Sequence, residues 1–164
     1  MIALTALAVV AALMLLELEI STRNERVLLS RGARTPHDPV YGTMRWAYPA
    51  AFVAMAVEGV LSAPVPRSLV LAGAIVFLAA KLFKFWAIAS LGERWTYKVL
   101  VLPGVPLVTS GPYRFIRHPN YVGVVGELIG MALITEARFA GPAGVVFFSW
   151  LLSRRIRVEE QALR

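Results

Sequence analysis

The stretch SLVLAGAIVFLAAKLFKFWAIASL, Ser68 to Leu91, carries only two charges, Lys81 and Lys84. A helix that crosses the hydrocarbon layer of a bilayer needs roughly 20 mostly apolar residues, and this run is long enough. Four more apolar segments surround it: Ile2 to Leu16, continuing to Ile20; Trp46 to Leu61; Tyr121 to Thr135; and Phe139 to Leu152. The first two are at or near spanning length. The last two are short and read as a tightly joined hairpin partly shielded by protein. Its join is TEAR (135–138), followed by Gly141 and Pro142, which is turn chemistry. Composition agrees: 58% of residues are hydrophobic and 16% charged, against about 45–50% and about 25% in a soluble domain. The expected fold is all-α and integral to a membrane, with about five transmembrane helices, an ordered cytoplasmic loop and a C-terminal helix. It is expected to form one domain over 1–164, with three helices in 1–91 and a loop-rich half in 92–164.

Charge sets the expected orientation. Arg23, Arg26, Arg31, Arg34 and Arg45 lie between the first and second segments, and Arg67 alone lies in the next connection, SAPVPRS. Arg94, Lys98, Arg114 and Arg117 lie in the long connection Gly92–Asn120, Arg138 in the following turn, and Arg154, Arg155, Arg157 and Arg164 in the tail. Cytoplasmic loops are enriched in Lys and Arg. The alternation fits five helices in a bacterial inner membrane, with the N-terminus outside and the C-terminus and active site cytoplasmic. The N-terminal run lacks both a basic leader and a small-residue cleavage site, so it reads as a retained helix. The net charge of +7 fits anionic lipid headgroups, and no long basic tract points to nucleic acid.

There is no cysteine, which excludes disulfides and thiolate chemistry. His37 and His118 stand far apart without ligand-like spacing, so no metal is expected. Gly123, Gly126 and Gly130 share a helix face, and Gly126 with Gly130 forms a GxxxG pair suited to close helix packing. Lys81 and Lys84 are expected to snorkel to the headgroups. Glu58, near the outer end of its helix, is expected to be solvated. Glu127 lies deeper, where it can pair with Lys81 or Lys84 or face a polar cavity.

The long connection LGERWTYKVLVLPGVPLVTSGPYRFIRHPNY sets Trp95, Tyr97, Tyr113, Phe115 and Tyr121 beside Arg94, Lys98, Arg114, Arg117 and His118. Its prolines and glycines point to an ordered, largely non-helical segment over the membrane face. Such a segment suits a ligand site and equally an interfacial anchor; composition does not separate the two. Pro119 and Asn120 are placed to start the fourth helix.

TSGPYRFIRHPNYVG together with the later RRIRVEEQAL resembles the isoprenylcysteine carboxyl methyltransferase family. LGERWT ahead of the loop matches as well, and RNERVLL after the first helix is similar to bacterial members. The resemblance is strong over Leu91 to Leu163 and weak before it. RHPxY alone is shared with phospholipid N-methyltransferases and steroid-reductase-like membrane proteins; RHPxY with the EExxL tail is more specific.

The resemblance implies a short bacterial-type member that uses S-adenosylmethionine. The cofactor would be held by this loop, the following helix and the C-terminal helix. Carried over by position, the implied cofactor contacts are Lys98, Val105, Pro106, Leu107, Val108, Gly111, Tyr113, His118, Pro119, Asn120, Tyr121 and Glu159. Arg155 matches the arginine that orients the substrate. Arg155, Glu159 and His118 are the implied catalytic group. Eukaryotic members carry Gln where Lys98 stands and His where Val105 stands, and have additional N-terminal helices.

The residue chemistry is compatible with that cofactor. Val105–Val108 can line an adenine, Tyr113 and Tyr121 can face a sulfonium, His118 can donate from either nitrogen and Glu159 supplies negative charge. Arg155 and Glu159 are i and i+4 on one helix. No GxGxxG follows a predicted strand, which argues against a Rossmann methyltransferase. A carboxylate acceptor is already ionised at neutral pH, whereas a phenol needs a base. The sequence shows no dedicated Asp/His pair, which favours a carboxylate or another acidic group on a lipophilic, prenylcysteine-like acceptor. The alternatives are a phospholipid amine, a phenolic lipid, or a non-enzymatic transporter or assembly protein with an ion path through Lys81, Lys84, Glu58 and Glu127. Nothing in the sequence fixes the oligomeric state.

Overall fold

The computed structural model describes residues 1–162. Leu163, the last residue of the EExxL element, and Arg164, counted among the tail's basic residues, lie outside the described residues. Five α-helices and no strand are present among the described residues: α1 (Ile2–Ser30), α2 (Tyr41–Leu61), α3 (Arg67–Leu91), α4 (Pro119–Thr135) and α5 (Ala140–Ala162). Two short 3-10 turns, Gly92–Arg94 and Gly111–Arg114, punctuate the long connection. The segments 2–30 and 67–94 are long and apolar enough to cross a membrane.

α4 sits in the middle and touches every other α-helix. Its closest neighbour is α3, and glycine is the reason. A β-carbon on Gly123 would lie 2.7 Å from Lys84 Cβ, one on Gly126 2.6 Å from Ala80 Cβ, and one on Gly130 2.7 Å from Phe77 Cα. The small face lets the two backbones approach, as the spacing predicts.

The outer faces of the bundle are apolar, and inside it a charged cluster is buried beside an apolar core built on Phe52, Met55, Leu128 and Met131. On α3, Leu71, Ile75, Leu78 and Leu82 point outward and are exposed, while Lys81 and Lys84 are buried. The snorkelling expectation for the two lysines is therefore overturned. Lys81 Nζ lies 2.8 Å from Glu17 and 2.9 Å from Glu127; Lys84 Nζ lies 2.7 Å from Glu17 and 3.4 Å from Glu127. An unpaired charge in such surroundings is very costly, so two lysines and two glutamates close on one another. The hydroxyl of Tyr48 donates to Glu127 at 2.5 Å, and that of Tyr97 to Glu17 at 3.2 Å. Glu127 thus takes the paired alternative.

Three further expectations change. Glu58 is half-buried rather than freely solvated. Its carboxylate accepts the N–H groups of Phe139 (3.0 Å) and Ala140 (2.7 Å), capping α5. It lies outside the buried quartet, so the imagined ion path loses one member. Gly141 and Pro142 do not form the α4–α5 turn. The chain turns at Glu136 (φ 50°), and Pro142 sits in the first turn of α5, where its missing N–H costs nothing. Finally, α1 runs ten residues past Ile20 and α5 ten past Leu152, so polar residues assigned to a loop and a tail continue the helices.

The functional end is where these extensions meet the long connection. Residues 99–110 are largely non-helical, as expected, and are tied to the α1–α2 connection by a bridge: Arg34 N–H donates to Val101 O (2.8 Å) and Val101 N–H to Arg34 O (3.0 Å). The basic segment after α1, the long connection and the end of α5 therefore gather at one end of the bundle.

Candidate active site

α1 supplies the support. Glu17, Ser21 and Asn24 fall at i, i+4 and i+7 on one face of α1, and all three are buried. Ser21 Oγ accepts the N–H of Tyr97 at 2.8 Å, and Asn24 Nδ2 donates to Trp95 O at 2.8 Å and Gly92 O at 3.1 Å. Side chains thereby satisfy main-chain groups of a turn that has no ladder of its own. Trp95 Nε1 reaches on to Asn120 Oδ1 (3.3 Å).

His118 and Pro119 open α4. His118 is the N-cap (φ −127°, ψ 61°) and Pro119 occupies the first turn, where its fixed φ favours helix initiation. This directs Tyr121 and His118 to the same side, with their rings stacked 13° from parallel at 5.7 Å.

α5 brings the opposing groups. Arg155 is 3% exposed. Its Nη1 donates to the Asp38 carboxylate, its Nη2 to Tyr97 O at 2.5 Å, and its Nε lies 3.5 Å from Glu159 Oε1. The Tyr41 ring covers it at 5.6 Å. Glu159 accepts a hydrogen bond from the Tyr121 hydroxyl, and its other oxygen lies 3.2 Å from His118 Nδ1. The Arg155–Glu159 pair is thus part of a partly buried network anchored on a buried guanidinium, unlike a fully exposed helix pair of small effect. The hydrogen bond that His118 donates to the Glu159 carboxylate raises the His118 pKa above its ordinary value of 6.5, against an opposing effect of burial. Burial, followed by the Glu159 charge, pushes the Tyr113 phenol upward.

Arg155, Glu159, His118 and Tyr121 therefore come together, while Tyr113 makes no hydrogen bond to them and is reached only by the Glu159 charge. The imidazole–carboxylate pair that was not visible in sequence exists: His118 at the start of α4 and Glu159 on α5 form it, so its expected absence no longer argues for a carboxylate acceptor over a hydroxyl. Other expected residues stand apart. Lys98 pairs with Glu25 at 2.5 Å, an interaction that raises its pKa. Val105, Pro106 and Leu107 form an exposed run, and Arg94 Nη1 donates to Pro106 O at 2.6 Å. Val108 is half-buried. Gly111 (φ 59°) packs so closely on Ser90 that a side chain there would clash.

Asp38 and Tyr97 were missed. Asp38 carries only a local signal, an Asp before Pro ahead of a helix. Tyr97 acts through its carbonyl, which no side-chain pattern reports. The stripe Glu17, Ser21, Asn24 was missed as well, because the first helix was expected to end near Ile20; its signal is the i, i+4, i+7 spacing once α1 is seen to continue to Ser30.

S-Adenosylmethionine bears an ammonium, a sulfonium and a carboxylate. Glu159 offers an anion, the Tyr121 and Tyr113 rings offer π faces, and an imidazole whose proton is held by Glu159 suits a carboxylate. His118 Nε2 is buried without a hydrogen-bond partner, its nearest acid being Glu160 Oε1 at 3.6 Å. A buried polar nitrogen left open beside complementary charges is what a bound polar ligand would satisfy, so the donor set fits this cofactor.

A family model for the isoprenylcysteine carboxyl methyltransferase (ICMT) family matches residues 72–164. The chain is 35% identical over 151 residues to the uncharacterized protein YpbQ of Bacillus subtilis, a match covering 90% of this chain and 88% of that protein. It is 29% identical over 157 residues to an uncharacterized protein of Haemophilus influenzae, covering 95% of this chain and 91% of that one. No solved structure matches the chain.

Proposed function

The chain belongs to the isoprenylcysteine carboxyl methyltransferase family, a family of membrane methyltransferases, and from that premise we propose that it transfers a methyl group from S-adenosylmethionine to an acidic group, foremost a carboxylate, on a lipophilic acceptor. The observation that carries the reading is the closure of α5 over the start of α4: Arg155 and Glu159 meet Tyr121 and His118 in a partly buried network.

The bound cofactor supplies an electrophilic methyl group on a sulfonium. Glu159 and His118 would hold its charged amino-acid end, Tyr121 and Tyr113 would face the sulfonium, and Val105–Val108, a largely exposed run apart from that cluster, would have to fold onto the adenine. Arg155 orients the acceptor's acid. Methyl transfer is an in-line displacement, so alignment and exclusion of water supply much of the acceleration. An ionised carboxylate needs no base.

The five helices all span the membrane in this reading, with the N-terminus outside and the site on the cytoplasmic side. The chain forms one membrane domain, with 92–164 as its methyltransferase core. The charged cofactor then arrives from the cytosol while the acceptor slides in from the bilayer.

Calorimetry with S-adenosylhomocysteine on folded, purified protein is the first test, and absence of binding at high ligand concentration sinks the enzyme reading. Labelled methyl transfer into a farnesylcysteine analogue, a phenolic lipid or phosphatidylethanolamine then identifies the acceptor. Glu159→Ala is expected to weaken S-adenosylhomocysteine binding at least tenfold, a loss of about 1.4 kcal/mol. Arg155→Ala is expected to raise the acceptor KM with cofactor binding retained. Wild-type kinetics in both variants would refute the site assignment.

A further inference from the structure

Every donor edge of Arg155 already has a partner: Asp38 on Nη1, Tyr97 O on Nη2 and Glu159 near Nε. Two carboxylates face one buried guanidinium. A third, brought by an acidic acceptor, would add like charge to a site of low dielectric, so one partner has to leave.

The three partners differ in how firmly they are held. Tyr97 is fixed at both ends, its N–H by Ser21 and its hydroxyl by Glu17. Glu159 is held by the Tyr121 hydroxyl and by His118. Asp38 lies in the non-helical connection 31–40. It borders an open cleft of about 200 Å³ walled by Thr35, Pro36, Tyr41, Lys98 and Val99. That cleft gives the Asp38 carboxylate room to turn and, in Lys98, a second cation to turn towards, one that would then be shared with its present partner Glu25. Its Oδ1 meanwhile caps α2 by accepting the N–H groups of Val40 and Tyr41, both at 3.0 Å.

We propose that Asp38 is a specificity-determining residue that occupies the anion seat on Arg155 and yields it, by turning towards Lys98, only to an acceptor that carries its own negative charge. The inference rests on the reading of Arg155 as the acceptor's anchor. An intramolecular carboxylate competes at high effective concentration. A neutral headgroup offers Arg155 too little to displace it; a carboxylate restores the same charge-assisted contact. The competition lowers the apparent affinity for every acceptor by the fraction of time the seat is free.

The test uses octanoate and its neutral counterpart octanamide as probes, titrated calorimetrically into the full chain in nanodiscs, with empty nanodiscs as the blank. Asp38→Asn keeps the helix cap, since Asn caps as well as Asp, and removes the competing charge. Octanoate is expected to bind D38N about tenfold more tightly than wild type, with octanamide unchanged. Lys98→Met removes the second seat and is expected to weaken octanoate several-fold in the wild-type background and to have no effect in D38N. Unchanged or weaker octanoate binding in D38N overturns the proposal, as does an equal gain for octanamide. If D38N does not fold, a Lys98→Met chain that binds octanoate as wild type does overturns it. S-Adenosylhomocysteine titrated into the same samples separates the two levels. A wild type that does not bind it fails as a methyltransferase, whereas one that binds it beside an unresponsive D38N refutes only the role of Asp38.

Discussion

Glu159 joins the two helices of the site: one oxygen accepts the Tyr121 hydroxyl and the other faces His118. The consequence for His118 is a proton held more tightly in the folded state than in the unfolded chain, where the pKa is near 6.5. The folded protein then binds more protons than the unfolded one, so stability falls as pH rises. The contribution is fully present below pH 6.5 and is lost as pH passes through the raised folded value. The unfolding midpoint in detergent is therefore expected to drop between pH 6 and pH 9, and His118→Gln is expected to flatten that drop. An identical pH profile in the variant would show that the pair is not linked to folding. At this scale the RHPNY motif and the i, i+4 pair were readable because they are local. Asp38 and the carbonyl of Tyr97 were not, since their roles arise from a chain crossing.

Helix pairs carry the next level of order. Along α4, Gly123, Gly126 and Gly130 lie against Lys84, Ala80 and Phe77 of α3 with no space for a side chain. Gly130→Val is expected to cost about 1–3 kcal/mol through overpacking, read as a lowered thermal midpoint, and a midpoint equal to wild type would contradict the close seam. The same helix pair carries the buried quartet with α1. Lys84, only 1% exposed, balances Glu17 and Glu127; Lys84→Met leaves one excess carboxylate charge. A loss of about 3–5 kcal/mol is expected, and the double variant Lys84→Met/Glu17→Gln is expected to recover part of it. A failure of recovery would mean that the charges do not act as a unit. The glycine spacing foretold the seam. The lysines were misread because snorkelling is the ordinary fate of a lone cation near a helix end, and their partners sit 64 and 43 residues away.

The bundle exposes apolar side chains and encloses, beside its apolar core, a polar network that continues from Glu17 through Tyr97 to Arg155. The alternating basic loops predict that a reporter fused within 62–66 lies outside the membrane, and one at the C-terminus in the cytoplasm. Membrane-impermeant labelling of single cysteines, straightforward in a chain that has none, checks this, and labelling of both positions from one side would refute five spans. Hydrophobic runs, breakers and the RHPNY and EExxL motifs by themselves determined that the chain is helical, how many helices it has and where their apolar parts lie, and which family it resembles, but not how far α1 and α5 continue. Those properties follow from local periodicity and local chemistry. The tertiary structure alone decided that Lys81 and Lys84 are internal, that α1 holds the turn carrying Tyr97, and that Asp38 sits on Arg155. Each of those contacts joins distant segments, and each is set by the need to pair a buried charge or main-chain group, which has no signature until the helices pack.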